Sequence, residues 1–180
     1  PPLTVENGEF ESHVVNLPIK LVEEKLVTLL EQLKQSFGKP INSFRTGRWG
    51  INTEVLQLLT KYGVKIDSSV YPYYQNDFFS CEGAPTKPYW PDLTNPLLKG
   101  EQNKIFELPV SAGFNNKFFE LSNKIHQCIV KKPFSLLHIS GVLWHLNLLK
   151  KLYLSPELTS LDDMISLMKA QLKRNSLVIH

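Results

Sequence analysis

Cysteine is scarce in this 180-residue chain: there are two, Cys81 and Cys128, far apart and in no metal-type spacing. That excludes a disulfide scaffold and a zinc knuckle and leaves only a single bridge open. Long apolar runs are missing too. No stretch approaches the roughly 18 consecutive apolar residues of a membrane span, and no basic-then-apolar leader opens the chain. Excess charge of either sign is also absent, with 20 Lys and Arg against 17 Asp and Glu for a net +3, and no basic run longer than "LLKK" or "VKKP". A nucleic-acid surface is therefore poorly supported. The five histidines, His13, His126, His138, His145 and His180, form no HxH, HxxxH or HExxH. No complete zinc site is legible from spacing, although His138 and His145 could meet in space.

What the chain does have is apolar content enough for one domain over 1–180, 42% hydrophobic and 21% charged. Helix and strand patterns alternate along it. "IKLVEEKLVTLLEQLKQSFG" has leucines near helical spacing and ends on Gly38, with Pro40 beyond. A short strand "INSF" follows. Asn52 or Thr53 can cap "EVLQLLTKY", which stops at Gly63, before a second strand, "VKIDSSV". Five prolines break 71–100 into a loop insertion. Beyond it, "KIFELPVSAGF" reads as a strand, "KFFELSNKIHQCIVK" as a helix, "FSLLHIS" as a strand of uncertain length, and "VLWHLNLLKKLYL" as a helix leading into a strand. "SLDD" before "MISLMKAQLK" resembles a capping box with Asp for Glu, and "SLVI" closes as an apolar strand. Such alternation argues for parallel strands with crossover helices, an α/β class.

In parallel α/β folds, chemistry gathers where strands end and loops begin. Arg45 follows "INSF", Asp67 lies near the end of the next strand, and His180 ends the last, so three polar groups can face one rim. In "FRTGRWG", Arg45 and Arg48 each present a planar fork that holds a carboxylate bidentately or merely ties a loop down. Arg45 is the better placed of the two. Gly47 and Gly50 permit positive φ or close backbone approach, and Trp49 is either core filling or a flat platform suited to a sugar face. Asp67 before two serines is a functional acid or an Asx-type turn.

The segment from "LPIKLVEEKL" through "FGKPINSFRTGRWG" to "KYGVKIDSSVYPY", with "PYWP" and "FELPVS" later, resembles the polysaccharide deacetylase, or NodB-homology, family. The resemblance touches most of the chain. It implies a deformed (β/α) barrel, here incomplete at its N-terminus, in which a zinc or other divalent ion activates water against the N-acetyl group of a glycan. The family's metal ligands, an acidic pair and a short histidine repeat, are absent from this sequence, which implies either that they lie upstream of Pro1, this chain alone being inactive, or that a divergent protein has lost them.

By the same resemblance, Arg45 orients the base aspartate, Trp49 lines the groove with Arg48 and Asp67 on the substrate side, and His180 is the late histidine acting as general acid. Asp67 keeps two roles open, substrate contact or loop structure. The partner implied is an N-acetylated glycan. Self-association is implied too, because an incomplete barrel exposes strand edges. Two other readings are a metal-free carbohydrate-binding or regulatory protein of the same fold, and a generic α/β protein with a structural arginine loop.

Overall fold

The computed structural model describes residues 8–131 and 138–174. The chain divides into two compact units, Pro1–Pro109 and Val110–His180.

In the first unit, two 3-10 turns, Phe10–Ser12 and Val14–Asn16, lead into helix α1, Ile19–Phe37. α1 ends on Gly38 at φ +65, whose N–H donates to Lys34 O; that left-handed position costs glycine no Cβ clash. Val22 and Leu26, one turn apart, form its buried face. Strand β1, Ser43–Phe44, follows, then helix α2, Thr53–Lys61, which packs on α1. Asn52 caps α2, accepting from Val55 N at 2.9 Å while its amide donates to Val15 O at 3.0 Å. The buried face of α2 is Val55, Leu56, Leu58 and Leu59. After Gly63 (φ +78) the chain returns as β2, Ile66–Asp67.

β1 and β2 run parallel, joined by α2 as the alternating pattern predicts. β3, Phe106–Glu107, pairs parallel with the other side of β2, giving a sheet in the order β1-β2-β3. The connection between β2 and β3 is the proline-rich segment. Among its residues only isolated bridges form: Gln75 with Ser80, Pro91 with Lys99, and Tyr89 with Glu107. The Tyr89 bridge covers the outer edge of β3, with Glu107 N donating to Tyr89 O at 2.8 Å and Tyr89 N to Glu107 O at 3.1 Å.

The second unit holds β4, Ala112–Phe114, antiparallel to β5, Lys151–Tyr153, with helices α3, Phe119–Val130, α4, Ile139–His145, and α5, Leu161–Lys173. Ser160 caps α5, accepting from Asp163 N at 3.3 Å, as the "SLDD" pattern predicts. Leu152, Leu167, Phe114 and Phe119 are large side chains fully buried within it.

Two expectations change. "KIFELPVSAGF" is two strands, β3 and β4, in different units; Pro109 lies between them and has no N–H for a ladder. In "FSLLHIS", His138 is the N-cap and Ile139–Ser140 begin α4, while Phe134–Leu137 lie outside the described residues, as does "SLVI".

Candidate functional site

The register of the parallel sheet sets three loops side by side. Phe44 pairs with Asp67 and Asp67 with Glu107, so the chain leaves all three strands at one level. Arg45 is the first residue beyond that level on β1. It is exposed, and its guanidinium carbon stands 4.4 Å from the centroid of the Trp49 ring, a cation–π contact. Trp49 is half-buried and lies against Tyr71, ring centroids 4.9 Å apart; Tyr71 in turn stacks on Tyr74 at 4.9 Å. Arg48 is exposed. Neither arginine has a carboxylate partner among the described residues.

The backbone of this loop is unusual. Trp49 itself takes φ +63, a left-handed conformation rare for a bulky side chain, and Gly50 takes φ +79. Of the two glycines read from the sequence as conformational hinges, only Gly50 has positive φ; the other such residue in the loop is the tryptophan. A Cβ on Gly50 would lie 2.8 Å from the Phe79 ring. Hydrogen bonds hold the turn against the loop after β2: Thr46 N donates to Ser69 Oγ at 3.0 Å and Gly50 N to Ser69 O at 2.9 Å. Thr46 Oγ1 also donates to Gly50 O at 2.9 Å, closing the turn on itself.

Asp67 is fully buried, and so is Glu107 beside it. Asp67 Oδ1 accepts the Ser69 hydroxyl at 2.7 Å, and Glu107 Oε1 accepts Val70 N–H at 3.1 Å. The two carboxyls face each other. Among the described residues no N–H or hydroxyl group reaches Asp67 Oδ2, so a hydrogen bond from the facing group needs a proton on one carboxyl of the pair. Burial raises the Asp67 pKa above the usual carboxylate range, against the opposing pull of the Glu107 and Ser69 hydrogen bonds. Glu107 is raised well above its ordinary value, first by burial and then by the neighbouring Asp67 charge. The surroundings respond in kind. Burial, with the nearby carboxyls adding to it, pushes the Cys81 thiol up to about 11 and the Tyr89 phenol higher still.

Of the residues singled out in the sequence, Arg45, Arg48, Trp49 and Asp67 therefore share one end of the sheet. Arg45 and Trp49 face outward. Asp67 is enclosed, engaged with Ser69 and Glu107 in the manner of loop structure. His180 lies outside the described residues. His13 is buried and stacked on Phe78 at 4.4 Å, while His138 and His145 both border one shallow apolar depression on α4. Both cysteines are free.

Glu107 is the residue for which the sequence reading named no role. Its signal was an acidic side chain inside the apolar run "IFELPV", where a charge has to be paired or neutralised. Among the described residues no three His, Cys, Asp or Glu side chains converge to hold a metal, and no helix is long and apolar enough to cross a membrane. Compared with protein-family models, with curated proteins and with solved structures, the chain has no match.

Proposed function

We propose that this chain carries the arginine-motif half of a polysaccharide deacetylase-type (β/α) barrel. The intact domain removes N-acetyl groups from a polysaccharide or cell-surface glycan with the help of a zinc or other divalent ion. The observation that carries the proposal is the exposed Arg45–Trp49 pair at the carboxyl end of a parallel sheet. The indole occupies one face of the guanidinium, and its N–H edge has no partner among the described residues. That edge is available to hold a carboxylate bidentately, which fixes the direction of a general base and favours its charged form. Trp49, half-buried, offers an apolar surface on which a sugar face can lie.

The described residues do not by themselves fit a divalent ion, so no step through the metal is assigned to them. In this proposal its ligands come from other residues, and His180 remains the candidate general acid. β1 has no strand on its outer side among the described residues, and that edge is where self-association is expected.

A second reading rests on Arg45 having an indole for its partner in place of a carboxylate: a carbohydrate-binding or regulatory protein that keeps the groove without the reaction. Acetate release from N-acetylated chito-oligosaccharides by the full-length gene product with zinc separates the two. The deacetylase reading expects turnover that Arg45→Ala lowers by about 100-fold, with zinc affinity by titration calorimetry unchanged. Loss of zinc together with activity overturns the role given to Arg45. Oligosaccharide binding without acetate release overturns the enzyme in favour of the binding protein.

A further inference from the structure

We propose that Asp67 and Glu107 act as one proton-sharing carboxyl pair that positions the Arg45–Trp49 loop. The inference holds whether that loop serves a deacetylase or a binding protein, since it concerns what fixes the loop.

The hydrogen-bond chain assigns the proton. Thr46 N–H can only donate, so Ser69 Oγ accepts from it, and the single hydroxyl hydrogen of Ser69 goes to Asp67 Oδ1. Val70 N–H occupies Glu107 Oε1. Among the described residues Asp67 Oδ2 is left with no N–H or hydroxyl donor, and the group it faces is the Glu107 carboxyl. One proton held between the two carboxyls satisfies that contact; none leaves two negative charges side by side in the interior. No Lys, Arg or His pairs with either carboxyl among the described residues. Two titratable groups beside the pair, the Cys81 thiol and the Tyr89 phenol, are both held in their neutral forms. Among the described residues no cation compensates a second charge, and the backbone groups of Ser68 and Ser69, with the Ser69 hydroxyl, offset only part of the burial of Asp67.

The connection to the loop is short. Ser69 links Asp67 to Thr46 through its hydroxyl and to Gly50 through its carbonyl, and Trp49 lies between those two anchors. Val70, which Glu107 holds, follows Ser69 directly. A left-handed tryptophan is an unfavourable conformation that persists only when its surroundings over-determine it. The carboxyl pair supplies that determination through Ser69. Asp67 and Glu107 are thus positioning residues, acting on Arg45 and Trp49 through the backbone that carries them.

The test uses Glu107→Gln, whose amide N–H₂ donates to Asp67 Oδ2 while its carbonyl still accepts from Val70, so it replaces the shared proton with a permanent donor. Infrared difference spectra of the chain at neutral pH, wild type against Glu107→Gln, should show the C=O band of a protonated carboxyl present only in the wild type. Absence of the band overturns proton sharing. In a Trp90→Phe/Trp144→Phe background, where Trp49 is the only indole, acrylamide quenching should be unchanged by Glu107→Gln and raised at least about twofold by Glu107→Ala, as the loop opens locally. A folded Glu107→Ala chain with unchanged quenching overturns the positioning role. Should Glu107→Ala fail to fold, Ser69→Ala replaces it, with the same rise expected and the same overturning result. Raising the pH should increase quenching in the chain that keeps Glu107 and leave the Glu107→Gln variant flat; identical profiles overturn the pair as the titrating element.

Discussion

The loops after β1 and β2 leave neighbouring strands at the same level of one sheet, yet they treat their charges in opposite ways. The first sends Arg45 and Arg48 out to solvent and rests Arg45 on an indole. The second buries Asp67 completely against Glu107 and Ser69. The difference follows from proton chemistry. A guanidinium has no accessible neutral form, so enclosing it without a counter-ion is costly. Two carboxyls can lose half their charge by sharing one proton and can then be enclosed as a hydrogen-bonded unit. The inward loop is therefore the anchor and the outward loop is what it holds.

Breaking the anchor should have the largest effect. Asp67→Ala removes the acceptor of the Ser69 hydroxyl, leaves the Glu107 carboxyl unmatched and opens a void, which should cost about 3 kcal/mol in urea unfolding. A loss below about 1 kcal/mol would mean that the buried side chain is not an anchor. The point where the outward loop meets its support should be next. Gly50→Ala sets a Cβ 2.8 Å from the Phe79 ring at φ +79, whereas Gly47 has open space around it and no positive φ. Gly50→Ala should therefore cost about 2 kcal/mol and Gly47→Ala almost nothing by the same measurement. Equal effects would show that the loop is not fixed at Gly50.

The pH dependence of stability sharpens the contrast further. Both carboxyls have folded values raised above the ordinary carboxylate range, so the folded chain retains a proton that the unfolded chain releases. That contribution is complete below the unfolded values and is lost as pH rises through the raised folded ones. For one proton the slope is at most about 1.4 kcal/mol per pH unit. The urea midpoint should fall with rising pH in the wild type and less steeply in Glu107→Gln; a midpoint that rises would reverse the sign and refute the pairing. The smallest effect belongs to the outward charge. Arg45→Ala gives up only an exposed cation–π contact and should shift stability by about 0.5 kcal/mol. A shift comparable to that of Asp67→Ala would place Arg45 in the fold's support and remove the argument for its availability to a ligand.

Much of the first unit was legible beforehand because its signals are local. Gly38 and Gly63 end helices or turns by the freedom of a residue without Cβ, Asn52 caps by its side-chain oxygen as Ser160 does in the second unit, and the parallel β1–α2–β2 unit follows from a helix between two short apolar runs. The strand reading failed at Pro109, whose missing N–H separates β3 from β4, although the proline was in view. The site was half legible. Residue type and position after a strand single out Arg45 and Trp49 as candidates, while the pairing of Glu107 has no such local signal because its partner, Asp67, lies far from it in sequence, across the whole proline-rich segment.

The sequence by itself determined where α1, α2 and α5 start and stop, where the proline-rich loop interrupts the sheet, and that an arginine and a tryptophan follow the first strand. These depend on a residue and its near neighbours, through φ preference, capping and side-chain periodicity. Only the tertiary structure decided that Asp67 turns inward, that it meets Glu107, that Trp49 takes a positive φ beside Gly50, and that Arg45 stands on the indole. Those outcomes depend on the register of β1, β2 and β3. Pairing between distant strands sets which side chains share a buried space, and that shared space determines whether a carboxyl keeps its charge.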